Sequence, residues 1–216
     1  MIKSKKDGLL IVLSGPSGAG KGTICNELLK ENNNIWKSVS MTTRLPREGE
    51  VDGIDYFYVT EDEFKKRIDD DEFLEYANVY KGLYYGTPKE EVFKRLDNGT
   101  DVILEIDIEG AKNVRELMPA AICIFIMPPS MQELKKRLEG RGTETKDKVL
   151  ERFKKAYQEV NEVTRYNYVI VNDEVSNALK KISAIIEAEK CRVDRIEDVE
   201  VGNVEEVIHE ELIGLE

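Results

Sequence analysis

The chain has 216 residues, 41% hydrophobic and 35% charged, and its 43 Asp and Glu against 32 Lys and Arg leave a net charge of −11. Such a length buries a real core as one domain, with room for an inserted lobe, and the composition is that of a soluble globular protein. The acidic balance argues against a nucleic-acid partner, whose phosphates would be repelled over most of the surface, so an anionic ligand requires a local basic patch.

The N-terminal "MIKSKKDG" is basic, but the apolar run behind it is short and stops at a glycine turn. It reads as a strand and not a signal peptide, and no later run approaches membrane-spanning length. The strand predicted over Leu9–Ser14 leads into "GPSGAGKGT", and helical spacing follows over Lys21–Glu31. Gly15, Pro16, Ser17, Gly18, Ala19, Gly20 and Lys21 satisfy G-x-x-x-x-G-K in the strand–loop–helix setting this motif needs. Glycines there permit positive backbone dihedrals, so successive N–H groups can face an anion at the helix N-terminus, with the lysine as a point charge. A turn that merely joined strand to helix would leave Lys21 in solvent; the three elements in order favour phosphate binding. Gly22 stands where the strict motif places a magnesium-binding hydroxyl, and Thr23 follows. Mg²⁺ is therefore expected to be held mainly by phosphate oxygens and water, with no direct protein ligand assigned, and Thr23 to contact a phosphate.

Residues 36–98 break the alternation of strands and helices. They hold most of the tyrosines, short strand-like pieces ("YFYV", "FLEYANVY", "LYYGTP") and one helix-like "EDEFKKRI", and read as an inserted mixed lobe. Within it, Arg44 and Arg47 flank Pro46, and Tyr56 follows. Two guanidiniums and a phenol suit a phosphate monoester, although for the loop alone ordinary surface arginines are the simpler reading. Glu75, taken alone, reads as a polar residue on the outward face of a strand.

Beyond residue 98, strands are predicted over Asp101–Ile106, Ala121–Met127 and Tyr168–Val171, and helices over Glu109–Leu117, Met131–Leu138, Lys146–Val163 and Val175–Cys191. This alternation predicts a mostly parallel sheet covered on both faces, with ligands beyond its carboxyl ends. The polar "RGTETKD", Arg141 to Asp147, reads as a lid, at about 137–152. Cys25, Cys123 and Cys191 are odd in number and lack metal-ligand spacing, which suggests free thiols in a reducing cytoplasm. The acidic extension 191–216 carries a partial helical stripe from Val204 to Leu212 and the one histidine, His209. It reads either as a packed helix or as a solvated appendage.

Taken together, "SGPSGAGKGT", "SVSMTTRLPREGEVDGIDYFYV", "FLEYANVYKGLYYGTP", "ILEIDIEGA", "PPSMQELKKRLEGRGTE" and "VIVND" resemble the guanylate kinase family, in its order, from Leu9 to about Lys190. The resemblance implies a P-loop three-layer α/β fold. Residues 1–35 and 99–190 would form the core with its parallel central sheet and small lid, and residues 36–98 the GMP-binding lobe. It further implies transfer of the γ-phosphoryl group of ATP to GMP with Mg²⁺, giving ADP and GDP. By the same resemblance, Arg44, Arg47, Tyr56 and Tyr85 hold the GMP phosphate, Ser40, Glu75 and Thr87 hold guanine, and Glu105 and Asp107 lie near the nucleoside and metal. Glu105 departs from the aspartate familiar there. Arg137, Arg141 and Arg152 reach toward the transferring phosphate, and Asn172 lies beside the adenine pocket. Lys21 and Arg44 complete the charges on the transition state. Guanine offers two parallel donors to a carboxylate, a pairing adenine lacks, so Glu75 can discriminate the bases by about 10⁴-fold. The expected partners are ATP and GMP, without nucleic acid or membrane, for a monomer or homodimer. Rival readings are a non-catalytic kinase-like interaction module, a kinase of another small acceptor, and a P-loop ATPase or GTPase, which would lack its N-K-x-D motif here.

Overall fold

Strands with two apolar faces build the centre of the molecule. In the computed structural model, which describes residues 2–4, 7–80, 82–139 and 146–199, the elements run in chain order. They are β1 (Ile2–Ser4), β2 (Leu10–Ser14), α1 (Lys21–Glu31), β3 (Ile35–Lys37), β4 (Met41–Thr42), β5 (Phe57–Tyr58), α2 (Glu61–Asp69), β6 (Phe73–Tyr80) and β7 (Leu83–Pro88). There follow α3 (Lys89–Asp97), β8 (Asp101–Glu105), α4 (Ile108–Leu117), β9 (Ile122–Met127), α5 (Met131–Glu139), α6 (Lys146–Val160), β10 (Tyr168–Val171), α7 (Val175–Lys190) and β11 (Ile196–Val199).

Five strands form a parallel sheet in the order β10-β9-β2-β8-β3, with the glycine-loop strand β2 in the middle. Successive side chains point to opposite faces. Ile11, Leu13, Ile103, Ile122, Ile124 and Ile126 pack with α1 and α7 on one face. Leu10, Val12, Val102, Leu104 and Cys123 pack with α3 and α4 on the other. This is the three-layer P-loop arrangement, and every core strand and helix predicted from the pattern is present within a few residues. The helix predicted to Val163 stops as an α-helix at Val160 and continues as a 3₁₀ stretch over Asn161–Arg165.

A second, four-stranded mixed sheet in the order β5-β4-β7-β6 carries the inserted lobe. Its core is small: Met41, Phe64 and Phe73 are buried, with the Phe64 and Phe73 rings stacked at 4.5 Å. Two pieces of segment 36–98 belong to the parallel sheet instead. Trp36 and Lys37 lie in its edge strand β3, and Val92 and Leu96 of α3 pack into its second apolar cluster. The pattern missed β3 because three half-buried residues are too few to show a period. The extension beyond Lys190 begins with a 3₁₀ turn at Val193–Arg195 and with β11, which pairs antiparallel with β1. The stripe from Val204 to Leu212 and His209 lie outside the described residues.

Asp101 ties these layers at the amino end of the sheet. Its buried carboxylate accepts the Leu9 N–H at 2.9 Å and faces Lys190 Nζ at 3.0 Å. Asp101→Ala leaves a buried N–H unpaired and is expected to cost about 1–3 kcal/mol in urea unfolding, with the denaturant slope unchanged. An unchanged midpoint would show that this contact contributes nothing.

Candidate active site

At the carboxyl end of β2, Gly15, Gly18 and Gly20 have φ of 140°, 88° and 93°. The chain needs glycine at two of these for space as well. A Cβ on Gly15 would stand 2.2 Å from the Ile126 carbonyl oxygen, and one on Gly20 would stand 2.4 Å from Asn172 Nδ2. Lys21 Nζ turns back on the loop, donating to the Gly15 carbonyl at 2.6 Å and the Pro16 carbonyl at 3.2 Å. Asn172 buttresses the loop from below, with Nδ2 donating to the Ala19 carbonyl at 2.8 Å. From α5, Arg137 reaches the Asn172 carbonyl at 3.3 Å and the Ala19 carbonyl at 3.5 Å. From α6, Arg152 donates to Ser17 Oγ at 2.6 Å. The two described lid-region arginines thus meet on the glycine loop, while Arg141 lies outside the described residues. Thr23 is exposed and lines a groove between α1 and α7 of about 750 Å³, together with Glu27, Val175 and Leu179.

In the lobe, Arg44 makes a two-pronged pair with Glu50, at 2.8 and 2.9 Å, and its guanidinium lies over the Tyr56 and Tyr58 rings at 5.2 and 5.7 Å. Glu50 also accepts the Tyr58 hydroxyl at 2.9 Å and the Arg47 N–H at 2.7 Å. Hydrogen bonds from Arg44 hold the Glu50 carboxyl down at about 2. Burial works against the Arg44 charge, but the Glu50 and Tyr85 hydrogen bonds outweigh it, so the guanidinium is a firmer cation than usual. Its Nε is buried with no acceptor among the described residues. Tyr85 packs edge-on against Tyr56 at 5.9 Å, and Arg47 is exposed. Arg44, Tyr56 and Tyr85 therefore form one cluster, whose carboxylate organiser, Glu50, the sequence reading missed. Its only signal was an acidic residue within "PREGE".

Glu75 on β6 pairs across the ladder with Thr87 on β7, and the Thr87 hydroxyl donates to its carboxylate at 2.7 Å. Ser40 precedes Met41, the partner of Gly86, so the register carries it alongside Thr87. These three predicted base-binding residues share one corner. Glu75 is only 5% exposed. Burial raises its carboxyl to about 7, the Thr87 hydroxyl opposes the rise, and the nearby Asp107 adds to it. Asp107 itself caps α4 by accepting the Gly110 N–H at 2.8 Å. Gly110 makes room for this packing: a Cβ there would stand 2.7 Å from Glu75 Oε2. Gly110 was not anticipated, because nothing in "IEGA" reveals that a carboxylate from another strand presses against that turn.

Between the two halves, at the end of β8, Glu105 accepts a hydrogen bond from Lys37 Nζ at 2.7 Å. Burial lowers the Lys37 pKa, but the Glu105 charge and hydrogen bond more than offset this, and the ammonium is held above its usual range. Tyr56 of the lobe is close enough for Glu105 to act on it; burial first, and then that charge, raise its hydroxyl. The buried Cys25 thiol beneath is pushed up to about 12 by burial, so it stays neutral. Among the described residues no three Asp, Glu, His or Cys side chains cluster as a metal cage. Glu105 is the carboxylate beside the first turn of α1, a hard oxygen donor of the kind Mg²⁺ accepts directly or through its water.

Fold and site together define a phosphate-loop protein, with the glycine loop and its arginines at the carboxyl end of a parallel sheet and a second, smaller lobe that carries Arg44 and Glu75. A profile described as guanylate kinase matches residues 7–189. The guanylate kinase of Clostridium acetobutylicum is 60% identical over 206 residues, covering 95% of this chain and 98% of its own. That of Caldanaerobacter subterraneus is 58% identical over 195 residues, covering 90% and 94%. The crystal structure of guanylate kinase from Anaplasma phagocytophilum matches with a TM-score of 0.76 at 37% identity, covering 91% of this chain and 93% of its own. The chain belongs to the guanylate kinase family.

The raised Glu75 carboxyl has a consequence for stability. From an ordinary 4.5 in the unfolded chain to about 7 in the fold, the folded state keeps a proton that the unfolded state has lost. Stability at this site therefore falls as pH rises through that window and levels off above it. Glu75→Gln removes the slope and is expected to be more stable than the parent at pH 8 than at pH 5, by up to a few kcal/mol in urea unfolding. Parallel pH profiles for the two proteins would refute the buried-carboxylate assignment.

Proposed function

We infer that the protein is a guanylate kinase, transferring the γ-phosphoryl group of ATP to GMP and releasing ADP and GDP. One observation carries the choice of acceptor: a buried carboxylate, Glu75, backed by Thr87, in a chain that also carries an intact phosphate loop. Guanine N1–H and its 2-amino group are the donors such a group accepts; adenine would leave it unpaired at a cost that gives about 10⁴-fold discrimination.

Each side chain has a task in this reading. The loop Gly15–Thr23, through its main-chain N–H groups other than at Pro16, and Lys21 hold the ATP phosphates, with Asn172 supporting the adenine side. Arg44, Arg47, Tyr56 and Tyr85 hold the GMP phosphate, and Ser40, Glu75 and Thr87 hold its base. Arg137, Arg141 and Arg152 bring charge to the transferring group. Because a phosphate dianion is its own nucleophile, these residues position and neutralise, and no general base is required. When bound, Mg²⁺ adds charge neutralisation at the phosphates; Glu105 and Asp107 are the carboxylates that would face it or its water. The lobe within residues 36–98 is the GMP-binding part, apart from β3 and α3, and the region 137–152 is the lid. No helix among the described residues is long and apolar enough to cross a membrane. We place the enzyme in the cytoplasm, as a monomer or homodimer in purine nucleotide metabolism.

An ADP-release assay with ATP and Mg²⁺ is expected to show turnover with GMP and on the order of 10⁴-fold less with AMP, CMP or UMP; equal rates with all four acceptors would refute the reading. Lys21→Met is expected to lower kcat by about a hundredfold or more while unfolding changes by less than about 1 kcal/mol. Near-parental turnover would remove Lys21 from the phosphate site. The KM for GMP should fall as pH rises from about 6 to 8, as Glu75 ionises, and Glu75→Gln should lose that part of the dependence. Both proteins share the titration of GMP's own phosphate near pH 6, so their difference isolates the carboxylate. No difference between them would dissociate Glu75 from the base.

A further inference from the structure

The space beside Gly22, in the first turn of α1, is taken by a side chain from the end of β8. A Cβ there would stand 3.1 Å from Glu105 Oε1 and 3.7 Å from Oε2. The Glu105 carboxylate thus fills the space into which a side chain at residue 22 would project, on the first turn of α1, directly after Lys21. It is held there from the side. Lys37 pairs in register with Ile103, two residues before Glu105, so all three side chains leave the sheet on the α1 face. Lys37 Nζ reaches Glu105 Oε2 at 2.7 Å, with the side chains 25% and 22% exposed. Cys25 of α1, within electrostatic reach of both Lys37 and Glu105, is a neutral thiol.

We propose that Gly22, Glu105 and Lys37 form one unit: the Glu105 carboxylate supplies, from the sheet, the oxygen that the strict phosphate-loop motif supplies from a residue-22 hydroxyl, and Lys37 is the positioning residue that aims it. The strict motif uses that hydroxyl to support magnesium. Here a hydroxyl at residue 22 would compete with Glu105 for one place. An aspartate at residue 105, about 1.5 Å shorter, would withdraw from it. Glycine at 22 and glutamate at 105 therefore belong together, as serine and aspartate would. Lys37 leaves Oε1 turned toward the loop by engaging Oε2, much as a neighbouring group orients a metal ligand.

This rests on the kinase reading, and the test separates the two. ATP affinity would be measured by titration calorimetry in EDTA and in Mg²⁺, and the ratio of the two Kd values taken for each protein. Gly22→Ser and Glu105→Asp are each expected to lower that ratio about tenfold. The Gly22→Ser/Glu105→Asp double variant should return within about threefold of the parent, a non-additive result. Lys37→Met should lower the ratio about tenfold and Lys37→Arg should keep most of it, with Kd in EDTA for both Lys37 variants within about twofold of the parent. Additive losses in the double variant, an unchanged ratio in Lys37→Met, or equal losses with and without Mg²⁺ overturn the proposal, the last being the mark of a merely structural role. A parent protein that forms no GDP from GMP overturns the kinase reading instead.

Discussion

Charge placement is the constraint on which this molecule depends. A chain of net charge −11 must hold two polyphosphate or phosphate groups face to face. It does so by giving its cleft cations fixed acceptors of their own. Glu50 takes Arg44, Glu105 takes Lys37, loop carbonyls take Lys21 and Arg137, and the Ser17 hydroxyl takes Arg152. Each pair sets the direction of a long side chain, the entropy of which would otherwise be lost on binding. In the proposed reading, a phosphate arriving at Arg44 meets a guanidinium already stacked on two rings, its Nε without an acceptor among the described residues.

The fold makes this possible by ending several strands at one place. β2 delivers the glycine loop, β8 delivers Glu105 and then Asp107, and β10 delivers Asn172 beneath the loop. Parallel strands bring these carboxyl ends together, and the loop glycines let other groups approach its backbone closely. The lobe adds the other half on a much smaller core, centred on Met41, Phe64 and Phe73. A lobe with few buried contacts can shift against a well-packed sheet at low cost, which suits an enzyme that must exclude water around two substrates.

Glu75 shows the opposite economy. Its carboxyl is buried and pushed to about 7, so its ionised form is disfavoured by the fold that contains it. In the proposed reading that is the condition for discrimination, since a desolvated acceptor is costly to leave unpaired and rewards the base that pairs it. Gly110 and Thr87 maintain the pocket, the first by leaving space and the second by donating a hydrogen bond.

The sequence alone determined the core. Long apolar strands and strongly periodic helices report their own burial, and the glycine loop reports a backbone geometry that few other residues permit, so the parallel sheet and Lys21 were legible at once. Ser40, Arg44, Glu75 and the arginines of α5 and α6 are proposed as a group only through the order of the motifs; Arg44, Glu75 and those arginines each read singly as surface. Tertiary structure alone decided the rest. Gly110 against Glu75 and the Gly22–Glu105–Lys37 arrangement join residues on different elements, Glu50 meets Arg44 only through the fold of one loop, and the edge strand β3 is too short to show a period. Such contacts are set by strand register and by the space between packed elements, and neither quantity is written in the local spacing of residues.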